Sequence, residues 1–331
     1  MPTAANLEGV DLSKYKVVIP GTFVFSGMQT GRDVCIRIGL YSRDRNALVS
    51  PAYTTFMLKK NVKMLPEFFF MYFNRLESDR RGWFLSDSSV RANLDWPRFL
   101  DIEIPVPPID EQRKVVETWQ GLRAIKEQNE QLAAPLLALC RSALEKHKKT
   151  FPMKSIGGFI RQIKEKNSDN AITLEQGINI EKEFITPQRT NSDLSSRIIV
   201  RTGQIAYCTQ LNNANVAVAY RTGPDCVVSP VYNVIEIVEK DQLLDEYLFL
   251  CLCRPEFGRY VYWASKGSAY EFLVYDNLCS AKIPIPPLKV QQAVVDLYHC
   301  AVEAKKIAAE ADAKSREICP ALMQWVVKES A

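Results

Sequence analysis

A repeat at a spacing of 179 residues constrains the fold of this chain more than any other feature. The motif Val-Ser-Pro-Ala-Tyr at 49–53 recurs as Val-Ser-Pro-Val-Tyr at 228–232. The motif Ile-Pro-Val-Pro-Pro-Ile at 104–109 recurs as Ile-Pro-Ile-Pro-Pro-Leu at 283–288. Because both pairs keep the same spacing, the sequence predicts two similar modules in one polypeptide, and a partner that offers two similar sites.

The similarity extends beyond these motifs. Residues 48–116 match residues 227–295 at 20 of 69 positions without a gap, where composition alone gives about four matches. A chain of 331 residues is long enough for about two domains. Its composition, 47% hydrophobic and 24% charged, is typical of globular proteins with a packed core.

Composition excludes several classes of protein. The net charge of +4 permits nucleic-acid binding without arguing for it. The nine cysteines form no Cys-x-x-Cys pair, which excludes a zinc ribbon and a thioredoxin motif, and such a scattered set predicts reduced thiols in a cytoplasm. No signal peptide opens the chain and no apolar run reaches the roughly 18 residues of a membrane span, so we expect a cytoplasmic protein without membrane contact.

Each half consists of a mixed module followed by a long helix. Short strand patterns, as at 16–19 and 198–201, precede a predicted helix at 66–76 or 245–255. Apolar residues then recur at helical spacing from 110 to 149 and from 288 to about 329. We expect Pro135 to kink or interrupt the first long helix and Pro320 to break the second late. The apolar stripes favour antiparallel packing of the two helices on each other; the alternative is that each helix packs on its own module.

In combination these patterns resemble the specificity (S) subunit of type I restriction-modification systems. The resemblance rests first on Gly-Gln-Ile-Ala-Tyr at 203–207, with the weaker copy Gly-Thr-Phe-Val-Phe at 21–25. The Val-Ser-Pro-x-Tyr motif and the segments 88–94 and 267–273 follow in both halves. Each half ends with an Ile-Pro-x-Pro-Pro hinge, which leads through Glu-Gln or Gln-Gln into the long helix.

The resemblance implies an α+β fold with two target recognition domains, related by a pseudo-twofold and separated by two long antiparallel helices that form a coiled-coil-like spacer. The implied domains are 1–108, the spacer helix 109–150, 151–287 and the spacer helix 288–331. We expect the first recognition domain to be N-terminally shortened, because the second module has residues from 151 to about 190 that lack a counterpart in the first.

The resemblance also implies a non-catalytic subunit that directs adenine methylation and restriction by other chains to an asymmetric bipartite target. The implied partners are double-stranded DNA, two methyltransferase (modification) subunits, and restriction/translocase subunits bound through them. The alternative is a truncated or DNA-binding-deficient scaffold that binds methyltransferase or a second specificity chain through its helices.

Candidate DNA contacts lie on loops where the two copies differ, because each half-site differs. Guanine is recognised by Arg, adenine by Asn or Gln, and phosphate by Lys, Arg, Ser and Thr. For each residue the alternative is an ordinary solvated side chain, and for Ser89 and Ser268 it is capping of a turn. The candidates are Gln29, Arg32, Arg43, Arg45, Arg81, Ser89, Arg91, Gln210, Asn212, Asn213, Arg221, Lys266, Ser268 and Tyr270.

Four residues of the long helices are candidates for partner binding. Gln112 and Gln291 begin the helices, where both capping and methyltransferase docking are open. Trp119 and Trp325 serve either in packing or as interface anchors, and an exposed Trp favours the interface.

Signals of catalysis are absent from the sequence. Its two histidines, His147 and His299, lie in the helical segments, and no His/Cys/carboxylate cluster has metal-ligand spacing. There is no Gly-x₄-Gly-Lys-Ser/Thr loop for ATP and no Asn-Pro-Pro-aromatic motif. We therefore expect no catalytic residue, no cofactor and no metal. A nucleic-acid enzyme, the third class of function, would need a constellation that this chain does not show.

Overall fold

The computed structural model describes residues 11–28, 36–87, 92–179, 181–189, 193–210, 216–265 and 272–329. The chain divides into two compact units, of which unit 1 comprises Met1–Asn129 with Lys306–Ala331 and unit 2 comprises Glu130–Lys305. Each unit therefore contains one repeat together with part of each long helix.

Unit 1 is built on two small antiparallel β structures. Its strands are β1 (Lys16–Val18), β2 (Phe23–Phe25), β3 (Ile38–Leu40), β4 (Ala47–Val49) and β5 (Thr54–Phe56). Its helices are α1 (Pro66–Phe73), α2 (Leu76–Leu85), α3 (Trp96–Leu100) and the first part of α4 (Ile109–Thr150), and a short 3-10 helix (Leu12–Lys14) precedes β1. β3, β2 and β5 form a three-stranded sheet in that order, while β1 pairs with β4. The turn between β1 and β2 requires Gly21, because its φ is +86°.

Aromatic side chains dominate the core of unit 1. Phe23 and Phe25 project from the same face of β2 and are fully buried. Phe23 stacks on Phe56 with ring centroids 5.0 Å apart, and Phe25 packs on Phe99 at 4.4 Å. The same cluster includes side chains from both long helices: Val115, Val116, Cys319, Met323 and Val326.

The long helices run antiparallel within unit 1. Trp119 of α4 lines the same groove as Cys319 and Met323. Further along α4, Lys126 forms an ion pair with Asp312 at 2.8 Å. The contacts advance from residue 119 to 126 along α4, while along α8 they go back from residues 319–323 to 312. The predicted antiparallel pairing of the two helices is therefore confirmed in unit 1. The alternative, in which each long helix packs on its own module, also holds in part, because Val115 and Val116 of α4 lie in the core of the first module.

Unit 2 has the same elements and several more. Its strands are β6 (Met153–Ser155), β7 (Ile160–Ile163), β8 (Gly177–Ile178), β9 (Phe184–Ile185), β10 (Ile198–Val200), β11 (Ile205–Cys208), β12 (Val218–Tyr220), β13 (Cys226–Val228), β14 (Tyr232–Ile237) and β15 (Lys282–Pro284). Its helices are the part of α4 from residue 130 onward, α5 (Asp245–Leu252), α6 (Pro255–Ala264), α7 (Tyr275–Ser280) and the part of α8 (Leu288–Glu329) up to residue 305, with a 3-10 turn at Ile156–Gly158. The main sheet has the order β12-β11-β14-β7, and β10·β13, β6·β15 and β8·β9 form separate pairs.

The structure extends the repeat well beyond the matching sequence. α1, α2 and α4 recur 179 residues later as α5, α6 and α8 with identical lengths. The strand registers recur too: Lys16 pairs with Val49 as Ile198 pairs with Val228. The offset is 182 for β1 and β2, and 179 for β4. The second repeat is therefore three residues shorter between β2 and β4, and most of that difference lies in the β2–β3 connection.

Both long helices continue through their proline. Pro135 lies inside α4 and Pro320 lies inside α8. The expected break at Pro320 is therefore wrong, as is an interruption at Pro135. A proline removes one helical hydrogen bond, and in helices of 42 residues the packed apolar face outweighs that loss. The mixed helix and strand class with two long helices is confirmed.

Candidate nucleic-acid interface

In unit 1 the structure joins the flanks of two predicted recognition segments. An isolated bridge pairs Met28, at the end of β2, with Asn93. Beside it, the amide of Leu94 donates to the carbonyl of Gly27 at 2.7 Å. A side chain at Gly27 would place its Cβ 2.5 Å from the Leu94 carbonyl oxygen, so glycine allows this close approach without a shift of the backbone. The described end of the segment that follows Met28 is therefore paired with the described end of the segment that precedes Asn93.

Unit 2 repeats this arrangement at equivalent positions. The bridge pairs Gln210 with Phe272, and the amide of Leu273 donates to the carbonyl of Thr209 at 2.8 Å. Gln210, a predicted DNA contact, is exposed. The same pairing of flanking residues therefore occurs in both repeats.

Most of the predicted DNA contacts belong to these loops and lie outside the described residues. The nine residues are Gln29, Arg32, Ser89, Arg91, Asn212, Asn213, Lys266, Ser268 and Tyr270. The structure fixes the described ends between which their segments run, and their role in DNA contact stays a prediction.

Two ionisable side chains of β11 lie at one end of the 209–217 loop in unit 2. Burial raises the pKa of Tyr207 to about 12, and its hydroxyl accepts a hydrogen bond from the Asn233 amide at 3.0 Å. Burial also raises the pKa of the Cys208 thiol. Both groups are therefore neutral at physiological pH, whereas Lys182 Nζ donates a hydrogen bond to the Val216 carbonyl at the other end of this loop.

Arg43 and Arg45 lie away from these loops. Both are exposed in the connection between β3 and β4, whereas the bridged loop connects β2 with β3. Successive connections of an antiparallel sheet lie at opposite ends of the shared strand. These two arginines are therefore not brought together with the bridged loops.

Arg221 is placed differently from what base recognition requires. Its side chain is only 5% exposed. The guanidinium donates to the carbonyl of Pro224 and to the side chain of Gln176, and it lies over the Phe184 ring at 5.1 Å from the centroid. Its donors therefore hold the unit together instead of facing solvent.

Arg81 has an exposed side chain on α2 that also bonds within unit 1. It projects from α2, whose end leads into the segment 86–94. Its side chain is exposed, and one guanidinium nitrogen donates to the Glu103 carbonyl at 3.2 Å.

Exposed aromatic residues form a feature that the sequence reasoning missed. Phe84 at the end of α2 is 86% exposed, and its counterpart Trp263 at the end of α6 is 68% exposed. Each is preceded by a partly exposed aromatic, Trp83 or Tyr262. The recurrence of an aromatic pair at the 179-residue spacing was the available signal. Exposed large aromatics beside a variable loop are typical of a binding surface.

The four candidate partner-binding residues differ sharply in exposure. Gln112 and Gln291 are fully buried, so neither offers surface to a partner. Trp119 is half-buried and packs on Phe70, with ring centroids 6.1 Å apart. Trp325 is half exposed on α8, so it has the most accessible surface of these four residues.

Neither a metal site nor a membrane span is found within the described ranges. No group of three or more His, Cys, Asp or Glu side chains there could hold a metal ion. Among those same residues, no helix combines the length and the apolar character needed to cross a membrane.

Solved structures that match this chain include S subunits of type I restriction-modification systems. The S subunit from M. genitalium matches with a TM-score of 0.56 at 14% identity, over 95% of this chain and 84% of that chain. The HsdS subunit from Thermoanaerobacter tengcongensis matches with a TM-score of 0.43 at 17% identity, over 98% and 85%. A chain from a structure of complex assembly and conformational transition of the type I R-M system matches at 0.41 and 16%, over 95% and 84%. No protein-family model and no curated protein matches the chain.

The M. genitalium likeness covers most of both chains and shows the fold. This chain has the two-domain fold of a type I S subunit. The resemblance that the sequence motifs indicate is therefore confirmed at the level of the fold.

Proposed function

We propose that this chain is the DNA-recognition subunit of a type I restriction-modification system. It directs a methyltransferase/restriction complex to an asymmetric bipartite target and performs no catalysis itself. The observation that carries the proposal is the bridge of Met28 with Asn93, repeated as Gln210 with Phe272. In each repeat this bridge pairs a described residue at the end of one candidate loop with a described residue at the end of the other.

Two similar modules that carry loops of different length and sequence are suited to recognition of two different half-sites. The β2–β3 connection covers residues 26–37, whereas the β11–β12 connection covers residues 209–217. The first carries Gln29 and Arg32, while the second carries Asn212 and Asn213. Asn and Gln pair with adenine and Arg pairs with guanine, so the two halves of the target should differ in sequence.

The remaining loop residues complete the proposed surface. Ser89, Arg91, Lys266, Ser268 and Tyr270 follow the same helices that present the exposed aromatics. Side chains of these types contact phosphates and position a protein on the duplex. We assign residues 1–108 and 151–287 as the two target recognition domains on this basis.

The long helices, 109–150 and 288–331, are the proposed docking surface for two modification subunits, with restriction subunits bound through them. Large apolar side chains are exposed along both helices, where solvent alone would favour polar residues. They are Ile125, Leu132, Leu139, Val302, Ile318 and Trp325. Trp325 is the strongest candidate anchor, because tryptophans are enriched among residues that dominate binding energy.

Methylome sequencing tests the whole proposal. A host that expresses this chain with a modification subunit should carry N6-methyladenine at one asymmetric bipartite motif. Deletion of the chain should abolish the modification. Substitution of Gln210, Asn212 and Asn213 by alanine should relax only one half of the motif. Arg45→Gln serves as the matched control, since Arg45 lies away from the bridged loops, and should leave the motif unchanged.

DNA binding by the assembled complex separates this function from a scaffold without DNA contact. The affinity should fall steeply with salt, because phosphate contacts release counterions. Methylation that persists unchanged without the chain, or an affinity that does not respond to salt, would contradict the proposal.

A further inference from the structure

The 209–217 loop of unit 2 is held at each of its described ends by a contact with a distant segment. At one end, Gln210 forms the bridge with Phe272. At the other end, the carbonyl of Val216 accepts a hydrogen bond from Nζ of Lys182, which lies 34 positions away in the sequence. Val216 itself is buried in the core of unit 2. The second end of this loop therefore depends on a side chain from another part of the unit.

Lys182 lies in the turn between β8 and β9, and hydrogen bonds fix that turn. The amide of Asn179 donates to the carbonyl of Glu183 at 3.0 Å. The side-chain oxygen of Asn179 accepts from the amide of Glu183 at 2.9 Å. Below the turn, Ile178 and Phe184 pack in one cluster with side chains of the main sheet. The turn therefore holds Lys182 at a defined position relative to that sheet.

The backbone of Lys182 has a conformation that lysine rarely adopts. Its φ is +71°, in the left-handed region where a Cβ atom is disfavoured and glycine is tolerated. Glycine would relieve this strain, but it would also remove the hydrogen bond to Val216. The side chain, and not the backbone, therefore accounts for a lysine at this position.

The Lys182 side chain is largely shielded from water beside the junction of α5 and α6. Lys182 and Val216 line a cavity of about 320 Å³ together with Cys253 and Arg254. Burial lowers the pKa of Lys182 and raises the pKa of Cys253 to about 12. A shielded ammonium group needs acceptors within the protein, and the Val216 carbonyl supplies one.

We propose that Lys182 is a positioning residue for DNA recognition by unit 2, which rests on the function proposed above. Its hydrogen bond to Val216 fixes where the loop that carries Asn212 and Asn213 joins β12. A binding group must be held within about 0.5 Å of its productive place by supporting residues. Loss of this hydrogen bond therefore lowers discrimination in one half of the target, although Lys182 itself does not contact a base.

Two substitutions separate positioning from stability. Lys182→Met and Lys182→Gly both remove the donor, but only glycine also relieves the left-handed backbone, so the glycine variant should have the higher melting temperature. In the assembled complex, both should lower discrimination against a changed base pair in the half read by unit 2 about fivefold, as expected for one hydrogen bond. If only the less stable variant loses discrimination, the effect follows stability and the proposal is overturned.

Controls separate positioning from a direct charge effect. The half read by unit 2 is the half that alanine at Gln210, Asn212 and Asn213 relaxes, and discrimination in the other half should stay unchanged. Lys164→Met removes the same charge from an exposed position of unit 2 and should leave both halves unchanged. If Lys182→Met weakens binding equally on all sequences and lowers the salt slope by about one, Lys182 is a phosphate contact and the proposal is wrong.

Hydrogen exchange in the free chain tests the Lys182–Val216 hydrogen bond without DNA. The amide of Cys208 donates to the carbonyl of Ala217, next to Val216, at 2.7 Å. It should exchange about fivefold faster in both variants. The amide of Arg221, bonded at 2.9 Å to the Gln204 carbonyl at the opposite end of the same strand pair, is the internal control and should keep its rate.

The two measurements fail in different ways. Unchanged exchange of the amide that lies next to the loop would overturn the proposed role of Lys182, whatever the DNA result. A complex with the unsubstituted chain that shows no sequence discrimination would instead contradict the proposed function of the whole chain.

Discussion

Gln112 and Gln291 make the same three hydrogen bonds at the start of their long helices. Gln112 Oε1 accepts from the amide of Leu65 at 2.8 Å. Its Nε2 donates to the carbonyl of Lys63 at 2.9 Å and to that of Pro107 at 2.8 Å. This one side chain therefore connects the Pro-rich hinge to the loop that immediately precedes α1.

Gln291 ties together the equivalent groups 179 residues later. Its Oε1 accepts from the amide of Leu244 at 2.9 Å. Its Nε2 donates to the carbonyls of Gln242 and Pro286 at 2.7 and 2.8 Å. The glutamine is thus kept in both repeats because three buried main-chain groups depend on it.

Replacement of Gln291 by leucine should lower the free energy of unfolding by about 3 kcal/mol. The substitution keeps a similar volume but leaves a buried amide and two carbonyls without partners, at roughly 1–3 kcal/mol for each such group. Urea denaturation measures the loss. Gln292→Leu is the control, because Gln292 is the exposed neighbour, and it should change stability by less than about 0.5 kcal/mol. Equal effects of the two substitutions would refute the structural role.

Sequence patterns predicted the repeated elements with close boundaries. The helix expected at 66–76 is observed as α1 at Pro66–Phe73, followed by α2, and the strand expected at 16–19 is β1. Hydrophobic periodicity succeeds here because burial of one face decides local structure. The predicted breaks at Pro135 and Pro320 were wrong, because the rule that proline breaks a helix considers only local structure. It ignores the packing that stabilises a long helix along its whole length.

Site residues were harder to predict from sequence, because exposure depends on pairing between distant segments. Arg221 and Gln210 are both polar loop residues in the sequence, yet one is buried on Phe184 and the other is exposed beside Phe272. Phe84 was not predicted as a site residue, because an aromatic residue in a helix is ordinarily assigned to the core. Only the fold shows on which side of a loop or helix these residues lie.

Arg221→Met should destabilise unit 2 and leave the salt dependence of DNA binding unchanged. The substitution keeps the apolar stem but leaves the Pro224 carbonyl and the Gln176 side chain without their donors, at a cost of about 2 kcal/mol. Thermal unfolding measures the effect, with Arg43→Met as the exposed control. The slope of DNA affinity against salt, measured below the unfolding transition, should match that of the unsubstituted chain. A reduced slope with normal stability would instead make Arg221 a phosphate contact.

Phe84→Ala and Trp263→Ala should each weaken binding to one half-site roughly tenfold, or about 1.4 kcal/mol. An exposed ring beside the loops can pack on sugars or insert between base steps, and its removal costs the fold little because the ring is in solvent. Competition assays with targets altered in one half measure the effect on each repeat. Leu76→Ala, exposed at the start of α2, is the control. An equal loss from Leu76→Ala would place the effect in α2 itself and contradict the assignment.

Acid should destabilise unit 2 through His147. The imidazole is buried, its Nδ1 lies 3.1 Å from the Tyr247 hydroxyl, and burial, with the charge of Lys146, lowers its pKa from the ordinary 6.5. Because the unfolded chain takes up this proton at a higher pH than the folded chain, the stabilising contribution is present above about pH 6.5 and is lost as pH falls towards the folded pKa.

His147→Gln should therefore reduce the difference in unfolding free energy between pH 7.5 and pH 5.5, as measured by urea denaturation at each pH. The glutamine preserves a polar partner for Tyr247 but cannot titrate. His299→Gln, which changes the exposed histidine paired with Glu246, is the matched control and should keep most of the pH dependence. If His147→Gln retains the full acid sensitivity of the unsubstituted chain, the loss of stability must originate in the carboxylates, whose lowered pKa values act in the same direction but at lower pH, as for Asp225 beside Arg201 and Thr202.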